Sequence, residues 1–255
     1  MVLIFAHYYD EEAKWLAANL SKHLRGIKVK LIIAEALGID YDITLSINSD
    51  SSHVTIYFQN PAETLYGENV SFVVNLLSFI DPIVWKKANE KERFYAMNEM
   101  NAFFAALIHS FVCPVINPIH NGALFANNNI ILQLMKVLSQ NGFVIHPAVL
   151  EENENAHKIK EIHQATCSRL ILLDNSIFYP INQPVSRLNQ LVLKAVTVQK
   201  ITHMLELFFS EHNDFFQLIF ISKHPALSVY GTGLLNYLTN VLKTHNYVDD
   251  YWYTK

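Results

Sequence analysis

Histidine and cysteine are the side chains that most often bind metals or act as nucleophiles, and this chain has twelve histidines and two cysteines. Their spacing predicts neither function. No His-Glu-x-x-His motif is present, and His157 and His163, with Glu161 between them, face different sides of one predicted polar helix. His163 and Cys167 are four residues apart, but a reactive thiol needs an electropositive, accessible setting. We therefore expect no metal site, and a buried structural cysteine at position 167.

Four other polar residues have types and positions suited to ligand binding. Arg93 and Glu99 lie on a predicted long helix, where they could bind a ligand carboxylate or orient a loop. The run EKER (90–93) favours instead a solvated face with ion pairs of the helix itself. Asn75 and Asn117 sit in apolar strands, where a buried amide must find hydrogen-bond partners. Each is expected to hold a loop or to contact a ligand, and the pattern favours the structural role.

Hydrophobic periodicity predicts the elements that must position these residues. A strand, a helix and a second strand open the chain, and a hairpin turns about NSDSS (48–52). The second half begins with a helix, and no linker or repeat divides the two halves. The predicted strands are 2–6, 29–34, 43–47, 53–58, 70–77, 115–117, 143–150, a pair within 169–180, and 215–222. The predicted helices are 10–24, 89–110, 127–140, a polar one within 152–165, 188–209 and 229–245.

Composition narrows the class of protein. The chain has 255 residues, 51% of them hydrophobic, and a net charge of -4 without a stripe of Lys or Arg, so no nucleic-acid partner is expected. The longest apolar stretch, 70–80, contains Ser71 and Asn75 and falls short of the roughly 20 residues of a membrane span. The start has no basic region, and two cysteines make no disulfide framework. These features predict a cytoplasmic protein without a membrane partner, whose apolar surface favours a homo-oligomer.

Four short motifs follow one another along the chain: YAMNE (95–99), VINP (115–118), GFVIHP (142–147) and LIFISKHPAL (218–227). Their order resembles the ATP-grasp superfamily, in particular the branch of ribosomal-protein glutamate ligases and peptide-modifying ligases. The resemblance implies an α/β fold: a pre-ATP-grasp-like N-terminal α/β domain at 1–112, followed at 113–255 by a truncated ATP-grasp-like α+β lobe.

Several residues depart from what this resemblance implies. Family ligases carry a lysine where this chain has NNN (127–129), and Lys136 lies about 10 Å further along the helix. The closing strand of a working member presents a glutamate and an asparagine to magnesium, and Phe220 and Ser222 stand at those positions. Residues 218, 220 and 222 point the same way, so we expect that face to be core.

The positions of the glycines also argue against conventional nucleotide binding. No glycine lies between Gly142 and Gly231, whereas a loop that cradles triphosphate needs close backbone approach, often at positive φ. The segment 151–168 contains Lys158 and Lys160 but no glycine, so conventional ATP binding is not expected. By resemblance, Arg169, Lys223 and His224 line a ligand cleft; as exposed strand-end cations they need no such role.

Three hypotheses for function follow. The preferred one is a catalytically silent relative of these ligases, without cofactor, which binds a peptide or acts beside a peptide-modifying ligase. The second is an active ATP-dependent carboxylate-amine ligase that uses ATP and Mg with rearranged groups. Its phosphate would contact Lys136, Lys158 or Lys160, and its metal Glu151, Glu152 or Asp174. The third is an assembly protein that dimerises and binds no small molecule.

Overall fold

The computed structural model describes residues 1–48, 51–78, 80, 87–119, 128–150, 167–174, 176–181, 187–196, 203–212 and 214–246. The chain divides into two compact units. The first comprises Met1–Phe125 with Leu235–Lys255, and the second comprises Ala126–Leu234. These units are the parts of the chain that are compact by themselves. The predicted domain boundary between residues 112 and 113 is a separate matter and stays a prediction.

The described residues of Met1–Phe125 form seven strands and two α-helices. The strands are β1 (Val2–Ala6), β2 (Val29–Ile33), β3 (Tyr41–Ile47), β4 (Ser52–Gln59), β5 (Ala62–Tyr66), β6 (Phe72–Asn75) and β7 (Val115–Ile116). The helices are α1 (Glu11–His23) and α2 (Glu90–His109). Four strands form a parallel sheet in the order β2-β1-β6-β7. This arrangement confirms the predicted α/β class.

Local sequence explains where the two helices begin. The Asp10 side chain accepts a hydrogen bond from the Ala13 amide at 2.9 Å, and two glutamates follow in the first turn of α1, where they favour the helix dipole. Asn89 and Glu92 form a capping box at the start of α2. Helix α1 packs on β1 and β2, and α2 contributes Phe104 to the core.

A three-stranded antiparallel sheet, β3-β4-β5, covers part of that core. Its side chains alternate: Val54, Ile56 and Phe58 on β4 point into the core cluster that contains Phe5 and Phe104. The hairpin of β3 and β4 confirms the prediction, and β5 adds a strand that the pattern did not predict.

The second unit is built on a five-stranded sheet in the order β10-β9-β11-β12-β8. Its strands are β8 (Val144–Ile145), β9 (Ser168–Leu173), β10 (Ser176–Phe178), β11 (Leu205–Glu211) and β12 (Phe216–Ser222). Its helices are α3 (Asn128–Gln140) and α4 (Arg187–Val196), and the division between units falls inside the last helix, α5 (Leu227–Asn246).

Two predicted elements in this unit were wrong. The helix predicted over 188–209 ends at Val196, and Leu205–Glu211 is the central strand β11. Residues 205–209 are all buried, and a short run that is apolar apart from Glu206 fits a buried strand as well as a buried helix. The strand predicted over 143–150 is reduced to β8 and a 3₁₀ turn that begins at Pro147. A proline supplies no amide for strand pairing and favours such a turn.

The polar helix predicted within 152–165 lies outside the described residues. In the ranges that are described, no helix combines the length and apolar character needed to cross a membrane.

Candidate functional site

Polar residues cluster at the carboxyl ends of the parallel strands of the first unit. His7 follows β1, Glu35 follows β2, Asn75 ends β6, and Asn117 follows β7. The chain leaves β1 towards β2 through α1, and leaves β6 towards β7 through α2. The carboxyl ends of β1 and β6 therefore form a topological switch point, where ligands of open α/β sheets bind.

His7 is the centre of this cluster and is only 2% exposed. Its Nδ1 lies 2.7 Å from Oε1 of Glu35. Its Nε2 accepts a hydrogen bond from the Ser78 amide at 3.2 Å, so the proton of the ring resides on Nδ1 and is donated to the carboxylate. The ring of Tyr9 stacks on the imidazole with centroids 5.3 Å apart.

The Glu35 carboxylate is held from two sides. Burial alone would favour the neutral acid, but the hydrogen bond from His7 and the amide of Tyr8, 3.1 Å from Oε2, lower its pKa overall. The same charge acts on Tyr41, whose hydroxyl donates to the Ile33 carbonyl at 2.7 Å. Burial, together with the negative charges of Glu35 and Asp40, raises the Tyr41 pKa, so its phenol stays neutral.

Asn75 and Asn117 are brought together by the pairing of β6 with β7. The Asn75 side chain donates to the Asn117 carbonyl at 3.0 Å, and the Asn117 side chain donates to the Asn75 carbonyl at 2.7 Å. Asn117 has a positive φ of 56°, a conformation that asparagine tolerates. Both side chains are fully buried and hold the two loops, whereas contact with a ligand stays a prediction.

Ser78, His7 and Glu35 have the order of a nucleophilic triad, but the geometry does not activate the serine. The Ser78 hydroxyl oxygen lies 3.4 Å from Nε2, whose lone pair already accepts the Ser78 amide. His7 is thus a positioning residue for the loop after β6. The side chains that face solvent beside it are Tyr8 and Tyr9, which are 66% and 73% exposed and offer aromatic surface to a ligand.

In the second unit the corresponding polar centre is Glu206 on β11, only 1% exposed. Tyr230 donates its hydroxyl hydrogen to Oε1 at 2.8 Å, and the Ala226 amide donates to Oε2 at 3.1 Å. Arg169 on β9, one of the predicted ligand-binding residues, brings Nη1 to 3.7 Å from Oε1. Burial and the Glu206 carboxylate raise the Tyr230 pKa, so this phenol remains a donor.

The closing strand β12 lies beside this carboxylate, since Ser222 pairs with Glu206 in the β11–β12 register. Leu218 and Ser222 are buried, as predicted for that face, but Phe220 is half-buried. Strand β8 pairs with β12 only as far as Leu218, and the Phe220 ring packs 5.8 Å from the ring of Phe208. Leu218 and Phe220 carry no oxygen that could bind a metal ion, and on this face of β12 the Ser222 hydroxyl is the side-chain oxygen.

The loop after β12 carries the other two predicted cations. The Ser222 hydroxyl donates to the His224 carbonyl at 2.9 Å and accepts its amide at 3.2 Å, which closes a tight turn. Lys223 is half-buried and the His224 ring is exposed. The structure thus places Arg169 against Glu206, while Lys223 and His224 extend from the turn that ends the neighbouring strand.

The remaining predicted residues are scattered. Arg93 and Glu99 are both exposed on α2, and their separation puts them on different sides of the helix. Lys136 is exposed on α3, and Asp174 is exposed in the turn between β9 and β10. The other groups of the second hypothesis, Lys158, Lys160, Glu151 and Glu152, lie outside the described residues, as does His163.

Neither cysteine is placed as a nucleophile. Burial raises the pKa of the Cys113 thiol to about 12, and Cys167 is buried beside β9, as predicted. Within the described part of the chain, no three His, Cys, Asp or Glu side chains are grouped so that they could hold a metal ion.

Comparison with solved structures shows what this fold is. The macrocyclase MdnC bound with precursor peptide MdnA, from Microcystis aeruginosa MRC, superposes with a TM-score of 0.69 at 12% identity, over 95% of this chain and 99% of that one. A Chryseobacterium gregarium RiPP-associated ATP-grasp ligase, in complex with ADP and a leader and core peptide, gives 0.64 at 10% identity, over 95% and 96%. The chain has the ATP-grasp ligase fold.

A third structure with the ATP-grasp fold is the ligase PsnB complexed with minimal precursor, Mg and ADP, with a TM-score of 0.60 at 10% identity over 96% of this chain and 98% of that one. The sequence itself matches no known family profile and no curated protein. The likeness to these ligases is therefore one of fold, at 10–12% sequence identity.

Sequence reasoning missed five residues that the structure brings into polar clusters: His7, Glu35, Ser78, Glu206 and Tyr230. For the first three a signal existed, because each follows an apolar strand by one to three residues. Carboxyl ends of neighbouring parallel strands meet at one edge of a sheet. Glu206 gave no usable signal, because its strand was predicted as a helix.

Proposed function

We propose that this protein is a non-catalytic relative of the ATP-grasp peptide ligases that binds a peptide, alone or beside a partner ligase. One observation carries the proposal: the buried Glu206 carboxylate is satisfied by protein groups. Tyr230 and the Ala226 amide donate to its two oxygens, and Arg169 supplies the neighbouring positive charge. These donors occupy part of its acceptor capacity, and the Arg169 cation already balances its charge and would repel a second cation.

The residues of the neighbouring strand β12 also support a non-catalytic role. A magnesium ion needs oxygen ligands, and the two positions that the resemblance assigns to them are Phe220 and Ser222. The Ser222 hydroxyl is engaged in the turn with His224. Without metal ligands at these two positions, strand β12 cannot hold a metal ion that would neutralise a transferring phosphoryl group.

Peptide binding is supported by the fold and by the first unit. MdnC, the Chryseobacterium ligase and PsnB are each described with a bound precursor or with leader and core peptides. Tyr8 and Tyr9 expose aromatic surface at the switch point, next to the rigid His7–Glu35 pair. Aromatic side chains on a rigid support are well suited to bind a peptide.

The test begins with calorimetry of the full-length chain against Mg-ATP. We expect no heat of binding at millimolar nucleotide. The same titration on Phe220→Glu with Ser222→Asn, with and without Arg169→Met, shows whether added oxygen donors on β12 permit metal-nucleotide binding and whether the Arg169 cation opposes it. Stoichiometric binding by the wild-type chain would overturn the proposal. So would carboxylate-dependent ADP release that Lys136→Ala, Lys158→Ala or Lys160→Ala abolishes, as the active-ligase hypothesis predicts.

A second arm tests the peptide. Peptides selected from a displayed random library on the full-length chain should bind the wild-type protein and lose about tenfold or more in affinity with Tyr8→Ala and Tyr9→Ala. Tyr66→Ala, which removes an exposed tyrosine on β5, is the matched control and should leave binding unchanged. Failure to select any peptide, or equal losses for all three variants, would refute peptide binding at this edge.

A further inference from the structure

A cavity of about 700 Å³ lies at the amino ends of the parallel strands of the first unit. Lys28, which lines it, directly precedes β2, and Asn69, also in its lining, lies three residues before β6. The Val2 amide at the start of β1 donates to the Lys28 carbonyl at 2.8 Å, so these strand ends are joined. The carboxyl ends of the same strands carry the polar cluster around His7. The cavity is therefore a separate feature of the opposite edge of the sheet.

Three cationic side chains line this cavity. Arg25 follows α1, Lys28 precedes β2, and Lys243 lies near the end of α5, in the part of that helix that belongs to the first unit. All three residues are exposed. Among the described residues of the lining, none is an aspartate or a glutamate. The chain as a whole carries a net charge of -4, so a group of three cations without an acid differs from its average surface.

Ion pairs within the protein do not neutralise these charges. No ion pair or side-chain hydrogen bond joins Arg25 or Lys243 to a residue in the described ranges. Lys28 does contact the Glu63 carboxylate, but the ammonium group of Lys30 contacts the same carboxylate at 2.8 Å. One negative charge is thus shared by two positive ones, and the cavity keeps an excess of positive charge.

The end of α1, which forms one side of the cavity, has partners of its own. Lys22 and His23 lie in its last turn, where positive charge favours the helix dipole. The Leu20 carbonyl accepts the Leu24 amide at 2.8 Å, and the Leu24 carbonyl accepts the Ile27 amide at 3.1 Å. The three cations of the cavity are therefore in excess of what this helix end requires.

We infer that this cavity binds a small soluble molecule that carries a phosphate monoester. Such a group has close to two negative charges at pH 7 and three terminal acceptor oxygens, which suits three converging cations. The planar guanidinium of Arg25 can bind two of these oxygens, and the two lysines act as point charges. Leu24 and Ile27 add apolar surface for the organic part of the ligand. The volume is in the range of small-molecule sites, and the inference is independent of the proposed function.

The first experiment is calorimetry of the full-length chain with phenyl phosphate, which joins a phosphate monoester to an apolar ring. We expect saturable one-to-one binding that weakens as added salt screens the cations. Arg25→Gln and Lys243→Gln should each raise the Kd about tenfold or more. Lys22→Gln removes an equal charge from the last turn of α1, outside the cavity lining, and should leave the Kd unchanged. Benzoate has the same ring but a single negative charge, and should bind about tenfold more weakly.

Two results of this titration would overturn the inference. One is the absence of saturable binding at millimolar phenyl phosphate. The other is an equal loss of affinity with Lys22→Gln and Arg25→Gln, which would mean that diffuse surface charge attracts the ligand. Mg-ATP is a different ligand, because its phosphoryl oxygens already bind a metal ion. Mg-ATP binding that Arg25→Gln with Lys243→Gln leaves unchanged would contradict the proposed function and not this inference.

The second experiment locates the ligand and identifies the source of the phosphate group. In methyl NMR spectra of the full-length chain, phenyl phosphate should shift the signals of Leu24 and Ile27 and leave Leu218 of the second unit unchanged. Shifts confined to the second unit would overturn the inference. Sedimentation with vesicles of phosphatidylcholine, with and without phosphatidic acid, tests a lipid headgroup. Binding only to the vesicles with phosphatidic acid, without binding of phenyl phosphate, would replace the soluble ligand by a membrane surface.

Discussion

Glu35 is the residue through which pH acts most directly on the first unit. Its carboxylate accepts from the buried His7 ring and from the Tyr8 amide, and its pKa is held below the ordinary value of 4.5. A carboxyl group with a lowered pKa in the folded state contributes stability above its unfolded pKa. That contribution is lost as pH falls through the lower folded value.

Glu35→Gln keeps the shape of the side chain and removes the charge. At pH 7 we expect it to lower the free energy of unfolding by about 1–3 kcal/mol, because the His7 and Tyr8 donors lose a charged acceptor. The difference from wild type should shrink as pH falls below 4.5. Urea unfolding in steps of pH measures both. Glu11→Gln, which removes an exposed i,i+3 partner of Lys14, is the control and should change little at any pH.

For individual residues, the sequence indicated some side-chain contacts and not others. Asn75 and Asn117 were singled out because a buried amide in an apolar strand requires partners, and each proved to be the other's partner. The pairing of His7 with Glu35 and of Arg169 with Glu206 joins residues far apart in the chain. No local pattern specifies such pairs, because their proximity depends on which strands become neighbours.

Helix α5 shows how one element combines two conformations. Gly231 interrupts it with φ 51° and ψ -130°, so the first turn, which carries Tyr230 to Glu206, has its own direction. A Cβ atom at Gly231 would also lie 2.5 Å from Cδ1 of Ile181. Gly233, two residues later, has regular geometry, and a Cβ there would meet nothing within 4 Å.

These two glycines give a matched pair of variants. Gly231→Ala should lower the free energy of unfolding by about 1–3 kcal/mol, because its backbone conformation strains any side chain and the new methyl crowds Ile181. Gly233→Ala should raise it by about 0.5–1 kcal/mol, the usual gain in a helix interior. Equal effects of the two substitutions, measured by urea unfolding, would contradict the kink.

Element prediction from the sequence succeeded where a turn or cap supported the pattern. The hairpin of β3 and β4 has NSDSS at its turn, and α1 and α2 begin at Asp10 and Asn89. Prediction failed over 204–209, because MLELFF contains no turn or capping residue and all six of its residues are buried. Pairing with both β9 and β12 made this run a strand, and that choice lies in partners supplied by other parts of the chain.

For the whole molecule, the C-terminal helix belongs to both units. Residues from Leu235 onward group with the first unit although they follow the second in the chain. Leu238 is fully buried there, while Asn240 on the same helix is exposed. The first unit is therefore completed only when the last part of the chain is present.

Leu238→Ala should lower the free energy of unfolding by about 2–5 kcal/mol, because it leaves a cavity in a buried position. Hydrogen exchange should speed up in β1 and β6 more than in β9 and β11, since the helix end groups with the first unit. Asn240→Ala, an exposed change in the same helix, should alter neither stability nor exchange. Faster exchange confined to β9–β12 would place this helix end with the second unit instead.

The sequence by itself determined the α/β class, most strands and helices, and the order of motifs that resembles the ATP-grasp ligases. Periodicity and capping are local, so they can be read from neighbouring residues. Only the tertiary structure decided that 205–211 is a central strand, that Glu206 meets Arg169 and Tyr230, and that His7 meets Glu35. Those outcomes depend on strand order and register, which bring together residues that no local pattern relates.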